Sequence, residues 1–292
     1  MIICECSQSG GKQLKEYEKI GTGAVLVTDG PLKYIEFESL NKYRDILTHF
    51  MSTRHGGVSS GECSTLNLGL SRNDDRNNVI ENFRIICNAT AVEMESLVLT
   101  NQVHGTKVCR VDERDMGKGL TRESDLKGTD GLITTAPGVT MVTFHADCSP
   151  VFLFEPSVKA AALLHSGWKG TLADIVTNAI NEMKKIPGFD AGRVETVIGP
   201  SIGFCWFEVD EDVYRLFRGK YGNDSFYCRV SDRKWKIDLK GVIKERMAEA
   251  GVDTGKIHDS GICTKCRSDL FFSYRGDMGR TGSMAAFMQI RR

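Results

Sequence analysis

The stretch HADCSPVFLFEPSVKAAALLHSGWKGT, His145 to Thr171, decides how this chain folds. Its apolar runs Val151 to Phe154 and Ala160 to Leu164 read as buried strands, and Glu155-Pro156-Ser157 between them is a turn signal. An antiparallel hairpin follows. Pairing Phe154 with Ala160 sets Pro150 opposite Leu164 and Cys148 opposite Ser166, with His165 one residue away. Cys148 and His165 then meet at the open end of the hairpin, beside the turn Ser166-Gly167-Trp168-Lys169-Gly170-Thr171.

Outward from this hairpin, strand-like runs recur at Ala24 to Val27, Tyr34 to Phe37, Leu97 to Thr100, Lys107 to Val111, Gly131 to Thr134 and Val139 to Phe144. Val194 to Ile198 and Ser283 to Ile290 extend the series. Three helices stand apart from them: Asn77 to Ala89, Leu172 to Met183 and Leu239 to Ala250, the last closed by Gly251. Strands in runs with helices set apart predict an α+β protein, a layered mixed β-sheet with flanking helices. No repeat, low-complexity segment or long linker divides the chain, so residues 1–47 are expected to add strands to the same single domain as 48–292.

The bulk composition excludes more than it assigns. Lys and Arg number 38, Asp and Glu 38, so no net charge draws the chain to nucleic acid or to a membrane surface. The apolar runs are far shorter than the roughly 20 residues that span a bilayer. The start MIICECSQSGGKQLKEYEK has no basic segment followed by an apolar one, so a cytoplasmic setting is expected. Ten cysteines in such a chain read as reduced thiols, mostly small core residues. Cys4-Glu5-Cys6 and Cys263-Thr264-Lys265-Cys266 are the close pairs; one C-x-x-C lacks the second half of a zinc ribbon and reads as structural.

A third group joins the hairpin end. In LTNQVHGTKV, His104 follows a strand-like run and precedes a glycine turn, a loop position at a sheet edge. His104, Cys148 and His165 together offer two imidazoles and a thiolate, the donor set of a three-ligand zinc site with one position open; the same donors suit copper.

MSTRHGGVSSGECSTLNLGL, NQVHGTKV, TDGLIT, HADCSPVFLFEP, HSGWKGT, IGPSIGFCWFEV and CTKCRSDLFFSYRGDMGRTG resemble, in order from about Thr48 to the C-terminus, the bacterial YfiH/YlmD family. Its members have been labelled both polyphenol oxidase with a laccase domain and purine nucleoside phosphorylase. The resemblance implies zinc held at His104, Cys148 and His165. It also implies phosphorolysis of adenosine, inosine and methylthioadenosine, and deamination of adenosine. The expected partners are therefore purine nucleosides and phosphate, with monomer and homodimer both open. Two positions depart from the family pattern: His145 stands where a small hydroxyl residue is usual, and Phe207 where a tyrosine is common.

Phosphorolysis needs an anion site beside the sugar. The turn at Ser166, Lys169, Gly170 and Thr171 leads into the helix expected from Leu172, so its N–H groups are phosphate candidates, with Lys169 adding charge. Arg54, on the STRHGG loop, is a second candidate because a guanidinium binds two phosphate oxygens at once. Deamination needs a proton carrier, for which Asp147 and His55 are candidates; Asp147 could equally orient a ligand. The H-x-E and P-C-x-x-C signature of nucleobase deaminases is absent around the ligands. Four rival readings compete. Copper phenol oxidation through a trinuclear cluster needs about eight imidazoles, usually in His-x-His pairs, and the chain has six His and no such pair. A cysteine hydrolase would use Cys148 as nucleophile and His165 as base, and a zinc amide hydrolase would edit peptidoglycan precursors. A closed structural zinc site would need a fourth ligand, for which Cys263 is the candidate.

Overall fold

The computed structural model describes residues 15–292; Cys4 and Cys6 lie outside them. The strands are β1 Glu16–Ile20, β2 Ala24–Asp29, β3 Leu32–Phe37, β4 Leu47–Ser52, β5 Leu97–Leu99, β6 Val108–Arg110, β7 Gly131–Thr134 and β8 Thr140–His145. They continue as β9 Ser149–Glu155, β10 Ala160–Ser166, β11 Glu195–Ile198, β12 Glu208–Asp210, β13 Tyr227–Arg229, β14 Lys234–Ile237, β15 Ile257–Asp259 and β16 Met284–Ile290. The helices are α1 Glu38–Asn41, α2 Arg76–Thr90, α3 Trp168–Ala173, α4 Ile175–Met183, α5 Glu211–Lys220 and α6 Leu239–Glu249.

Two mixed sheets lie face to face. One runs β1-β2-β3-β4-β16-β8-β5 and the other β15-β11-β9-β10-β7-β6, while β12-β14-β13 form a small third sheet. Strands from before residue 48 thus continue the sheet that β16 and β8 complete. Alternation along each strand explains the layers. Phe152, Phe154, Ala161 and Leu163 of one sheet meet Phe37, Met51, Met141, Ala286 and Met288 of the other between the layers. Their strand neighbours Val151, Leu153, Ala162 and Leu164 point outward under Val176, Ile180 and Met183 of α4 and Ile243 and Met247 of α6. On the far side, Phe50, Val142 and Phe287 lie under Val79, Phe83 and Ile86 of α2. A strand covered on both faces has no polar side to show, which is why β9 and β10 read as unbroken apolar runs.

The hairpin differs from its expected register by one residue. Ala160 pairs with Glu155 and Ala161 with Phe154, so His165 faces Pro150 and Ser166 faces Ser149. Glu155 belongs to the strand because its buried carboxylate accepts from Ser157 Oγ at 2.6 Å and Val158 N–H at 2.8 Å, tying down the turn from inside. The helix expected from Leu172 to Met183 is also two. Asp174 at φ 72° separates α3 from α4, caps α4 through Thr177 N–H and pairs with Arg246 at 2.8 Å. An ion pair to α6 therefore outweighs the helical periodicity across this point.

Candidate active site

Three connections converge where the two sheets meet. β8 ends at His145 in one sheet and β9 starts at Ser149 in the other, so Ala146-Asp147-Cys148 carries the chain across. The segment after β5 likewise passes from the edge of one sheet to β6 at the edge of the other, with His104 on the way. His165 is the penultimate residue of β10. The ligand atoms of His104, Cys148 and His165 all lie within 4.8 Å of one another. A thiol and two imidazoles at this spacing fit a single ion with three protein ligands.

The sequence reading missed the residue that holds this group together. Asp130, fully buried just before β7, accepts from the backbone N–H groups of Val103 at 3.1 Å, His104 at 2.9 Å and Gly105 at 2.9 Å. Its Oδ1 also lies 2.9 Å from His165 Nδ1, and its backbone oxygen accepts from His165 N–H at 2.7 Å. The carboxylate thereby fixes the ring of His165 through Nδ1, leaving Nε2 for a ligand. It also steadies His104 at φ 61°, a left-handed conformation that costs a non-glycine residue energy. Asp130 stood inside the quoted TDGLIT, where an Asp before a strand reads as an ordinary turn residue.

Burial alone would raise the Cys148 thiol, but the His165 charge and the His104 and His165 rings lower it well below its ordinary value. Burial would lower His165, and the Cys148 thiolate and Asp130 raise it instead. Asp130 is disfavoured as an anion by burial, yet His165 and the amides of Gly105 and Val103 hold its carboxyl below the usual range. Both shifts favour a Cys148 thiolate beside a protonated His165, and a metal ion would displace that proton. His145 stands behind the ligands: it is buried, its Nδ1 lies 3.1 Å from the Cys148 carbonyl and its Nε2 2.7 Å from Thr143 Oγ1. Burial, then the neighbouring His165 charge, pushes His145 far down, so its ring is neutral.

The remaining candidates separate clearly. A cleft of about 740 Å³ contains His104, Cys148, His165 and Asp147, walled by Phe144, Trp168, Phe207 and Tyr274, with Arg72 and Arg275 on its lining. Asp147, at φ 87°, accepts from Thr264 Oγ1 at 2.6 Å and Arg275 N–H at 2.7 Å, so both carboxylate oxygens brace the crossing. Ser166 and Thr171 are buried and bond each other at 2.8 Å, closing the strand-to-helix turn. Gly170 packs with its Cα hydrogens toward the His104 loop, since a Cβ there would lie 2.9 Å from Gly105 O. Lys169 is exposed, its Nζ 5.5 Å from the Trp168 ring centroid, and is not on the cleft lining. Arg54 does not reach the cleft: its guanidinium donates to the carbonyls of Ser64 at 3.3 Å and Ser268 at 3.1 Å and lies over Phe272. His55 is turned to the Asp269 carbonyl at 2.5 Å, also off the lining. Cys263 groups with Cys205 and Cys266 rather than with Cys148. Arg72 and Arg275, by contrast, are on the cleft lining, Arg72 with Nε donating to Ser283 Oγ at 2.7 Å and Arg275 with Nη1 donating to the Trp206 and Glu208 carbonyls at 3.4 and 2.9 Å. A second cleft of about 700 Å³ lies around Glu38, Lys244, His258 and Asp259, but its charges are already paired, Lys244 with Asp259 at 3.1 Å and Lys19 with Glu38.

Fold and site together define a two-sheet α+β protein with a thiol and two imidazoles, grouped closely enough to hold a metal ion, at the sheet crossing. The family model described as multi-copper polyphenol oxidoreductase laccase matches residues 48–291, and the chain belongs to this family, that of YfiH and YlmD. It is 34% identical over 241 residues to the Geobacillus stearothermophilus protein named purine nucleoside phosphorylase YlmD, covering 82% of this chain and 88% of that one. A protein from an unknown prokaryotic organism named adenosine deaminase RL5 is 29% identical over 246 residues, covering 82% and 94%. The crystal structure of Bacillus licheniformis YfiH superposes with a TM-score of 0.84 at 28% identity, covering 94% of this chain and 99% of that one. Among the described residues, no helix is long and apolar enough to cross a membrane.

Proposed function

We propose that this chain is a zinc-dependent purine nucleoside phosphorylase acting on adenosine, inosine and S-methyl-5'-thioadenosine, with adenosine deaminase activity. The observation that carries this reading is the convergence of His104, Cys148 and His165, braced by Asp130, in a cleft that also offers aromatic faces and guanidinium groups. Zinc held by these three side chains would supply Lewis-acid polarisation to a bound substrate. The flat faces of Trp168 and Phe207 suit a purine ring. Arg72 and Arg275 suit phosphate, which a guanidinium binds through two oxygens. Asp130 holds His165 in one orientation, and Asp147 holds the wall in place. One relative named purine nucleoside phosphorylase and another named adenosine deaminase support the two activities of this reading.

Copper-dependent phenol oxidation is the second reading, favoured by the softness of the same thiolate and imidazoles. Six His residues in the chain leave it short of a trinuclear cluster. The deciding experiment incubates zinc-loaded protein with adenosine, with and without phosphate, and separates adenine, inosine and hypoxanthine. Adenine formed only with phosphate, and inosine without it, is the expected result. Absence of all three, with phenol turnover after copper loading, would replace the nucleoside reading.

A further inference from the structure

The C-x-x-C at Cys263 and Cys266 does not stand alone in the folded chain. The turn at Gly203-Phe204-Cys205-Trp206 brings a third thiol, and the sulfurs of Cys205, Cys263 and Cys266 all lie within 4.8 Å of one another. Cys205 and Cys266 are 3.7 Å apart, sulfur to sulfur. Two thiolates on one tetrahedral zinc, each about 2.3 Å from it, are about 3.8 Å apart by geometry. A disulfide would need about 2.05 Å. Gly203 N–H donates to Cys263 Sγ at 3.2 Å, the kind of bond that stabilises a thiolate ligand from outside the coordination sphere. A Cβ on Gly203 would lie 3.2 Å from Cys205 Sγ and from Cys263 Cβ, so the glycine lets the two turns close. The Lys265 ammonium, 3.7 Å from the Trp206 ring centroid, adds positive charge on the intervening residue. Three thiols with no imidazole form a softer set than the one in the cleft.

We infer that Cys205, Cys263 and Cys266 form a second metal site, taking a thiophilic ion such as Zn2+ through three thiolates with the fourth position toward solvent. Cys205 and Cys266 are exposed and Cys263 half-buried, so an ion reaches the site without opening the fold. The ion clasps two turns separated by about 60 residues, both of which touch the wall of the cleft. Ile202 N–H donates to the Asp147 carbonyl at 2.8 Å, and Thr264, between the two C-x-x-C thiols, donates to the Asp147 carboxylate.

Elemental analysis of the reduced full-length chain, loaded with Zn2+ and dialysed, tests this without any activity assay. The wild type should retain about two zinc ions, Cys148→Ala about one, and Cys148→Ala/Cys205→Ser/Cys266→Ser none. With Co2+ in place of Zn2+, Cys148→Ala should keep a thiolate-to-cobalt charge-transfer band that the triple variant loses. Matching far-ultraviolet circular dichroism of the metal-free forms would show that the exposed serine substitutions leave the fold intact. A Cys148→Ala protein that retains no metal, or a triple variant that retains as much as Cys148→Ala, would overturn the inference. So would a Cys205–Cys266 disulfide as the resting form whose reduced thiols bind no zinc, since that assigns a redox pair.

Discussion

Asp130 concentrates more of the site's organisation than any proposed ligand. Its carboxylate accepts from three consecutive amides and engages His165 Nδ1, so one buried anion fixes the His165 ring and the backbone of the loop that carries His104, two of the three proposed ligands. Asp130→Asn removes the charge and turns one acceptor into a donor facing N–H groups. Zinc affinity, measured by competition with a chromophoric chelator, should fall by about 10–100-fold, the range for such supporting partners. Unchanged affinity would mean that the His165 ring is held by packing alone. The cations separate by the same reasoning. Arg72→Ala should raise the KM for phosphate, because Arg72 lines the cleft, whereas Arg54→Ala should leave it unchanged, because that guanidinium serves the Ser64 and Ser268 carbonyls. Kinetics at varied phosphate check both, and the opposite pattern would return Arg54 to the site. Arg54 was the natural choice in the sequence, an Arg on a Gly-Gly loop. What the residues alone could not show is that Phe272 and the carbonyls of nearby Ser64 and distant Ser268 claim it first.

The strand-to-helix element after β10 shows how closely the backbone approaches the ligands. Gly167 has an ordinary φ of −74°, so any residue could adopt its backbone conformation, yet a Cβ there would lie 2.7 Å from His104 Cδ2 and 3.0 Å from Cys148 Sγ. Gly167→Ala should therefore displace two ligands while leaving secondary structure in place. Reduced zinc content with an unchanged circular dichroism spectrum is the expected outcome, and full zinc content would show that the loop yields. The hairpin that presents Cys148 and His165 was legible because burial on both faces writes unbroken apolar runs. Its register was not, because Glu155 looks like a turn residue until its buried hydrogen bonds are known. α5 escaped notice although Val213, Tyr214 and Phe217 recur at helical spacing, because the apolar face is short and only Phe217 is fully buried. β12, β13 and β14 are only three or four residues long and show no long apolar run.

At the scale of the whole molecule, two stacked sheets place the site at their crossing and leave a further imidazole, away from the site, deep in the core. His49, on β4, stacks on Phe37 with ring centroids 5.9 Å apart and accepts from Phe37 N–H at 3.1 Å. Burial pushes its pKa down to about 3, the Phe37 backbone contact opposing and Arg291 assisting. Unfolding frees a ring of ordinary pKa near 6.5. The unfolded state therefore takes up a proton between pH 6.5 and about 3 that the folded state refuses, and stability is lost as pH falls through that window. The slope for this one group approaches about 1.4 kcal/mol per pH unit. Urea midpoints of the wild type should drop more steeply from pH 6.5 to 4 than those of His49→Gln, and parallel slopes would remove His49 from the account. The layered α+β class was readable from local patterns, and the three proposed ligands from their residue types together with the family resemblance. The pairing of two sheets, the Asp130 brace and the third thiol beside the C-x-x-C were not, because each joins segments far apart in the chain.

The proposed role of His104, Cys148 and His165 is to hold a metal on which nucleoside cleavage depends. Its most direct test follows phosphate-dependent adenosine cleavage through zinc loading, chelation and zinc return, with iodoacetamide labelling of Cys148 mapped in the same samples. Zinc should shield Cys148, chelation should expose a reactive thiolate and abolish cleavage, and returned zinc should restore both protection and activity. Rapid labelling of Cys148 in the zinc-loaded protein, with cleavage surviving complete removal of metal, would contradict it.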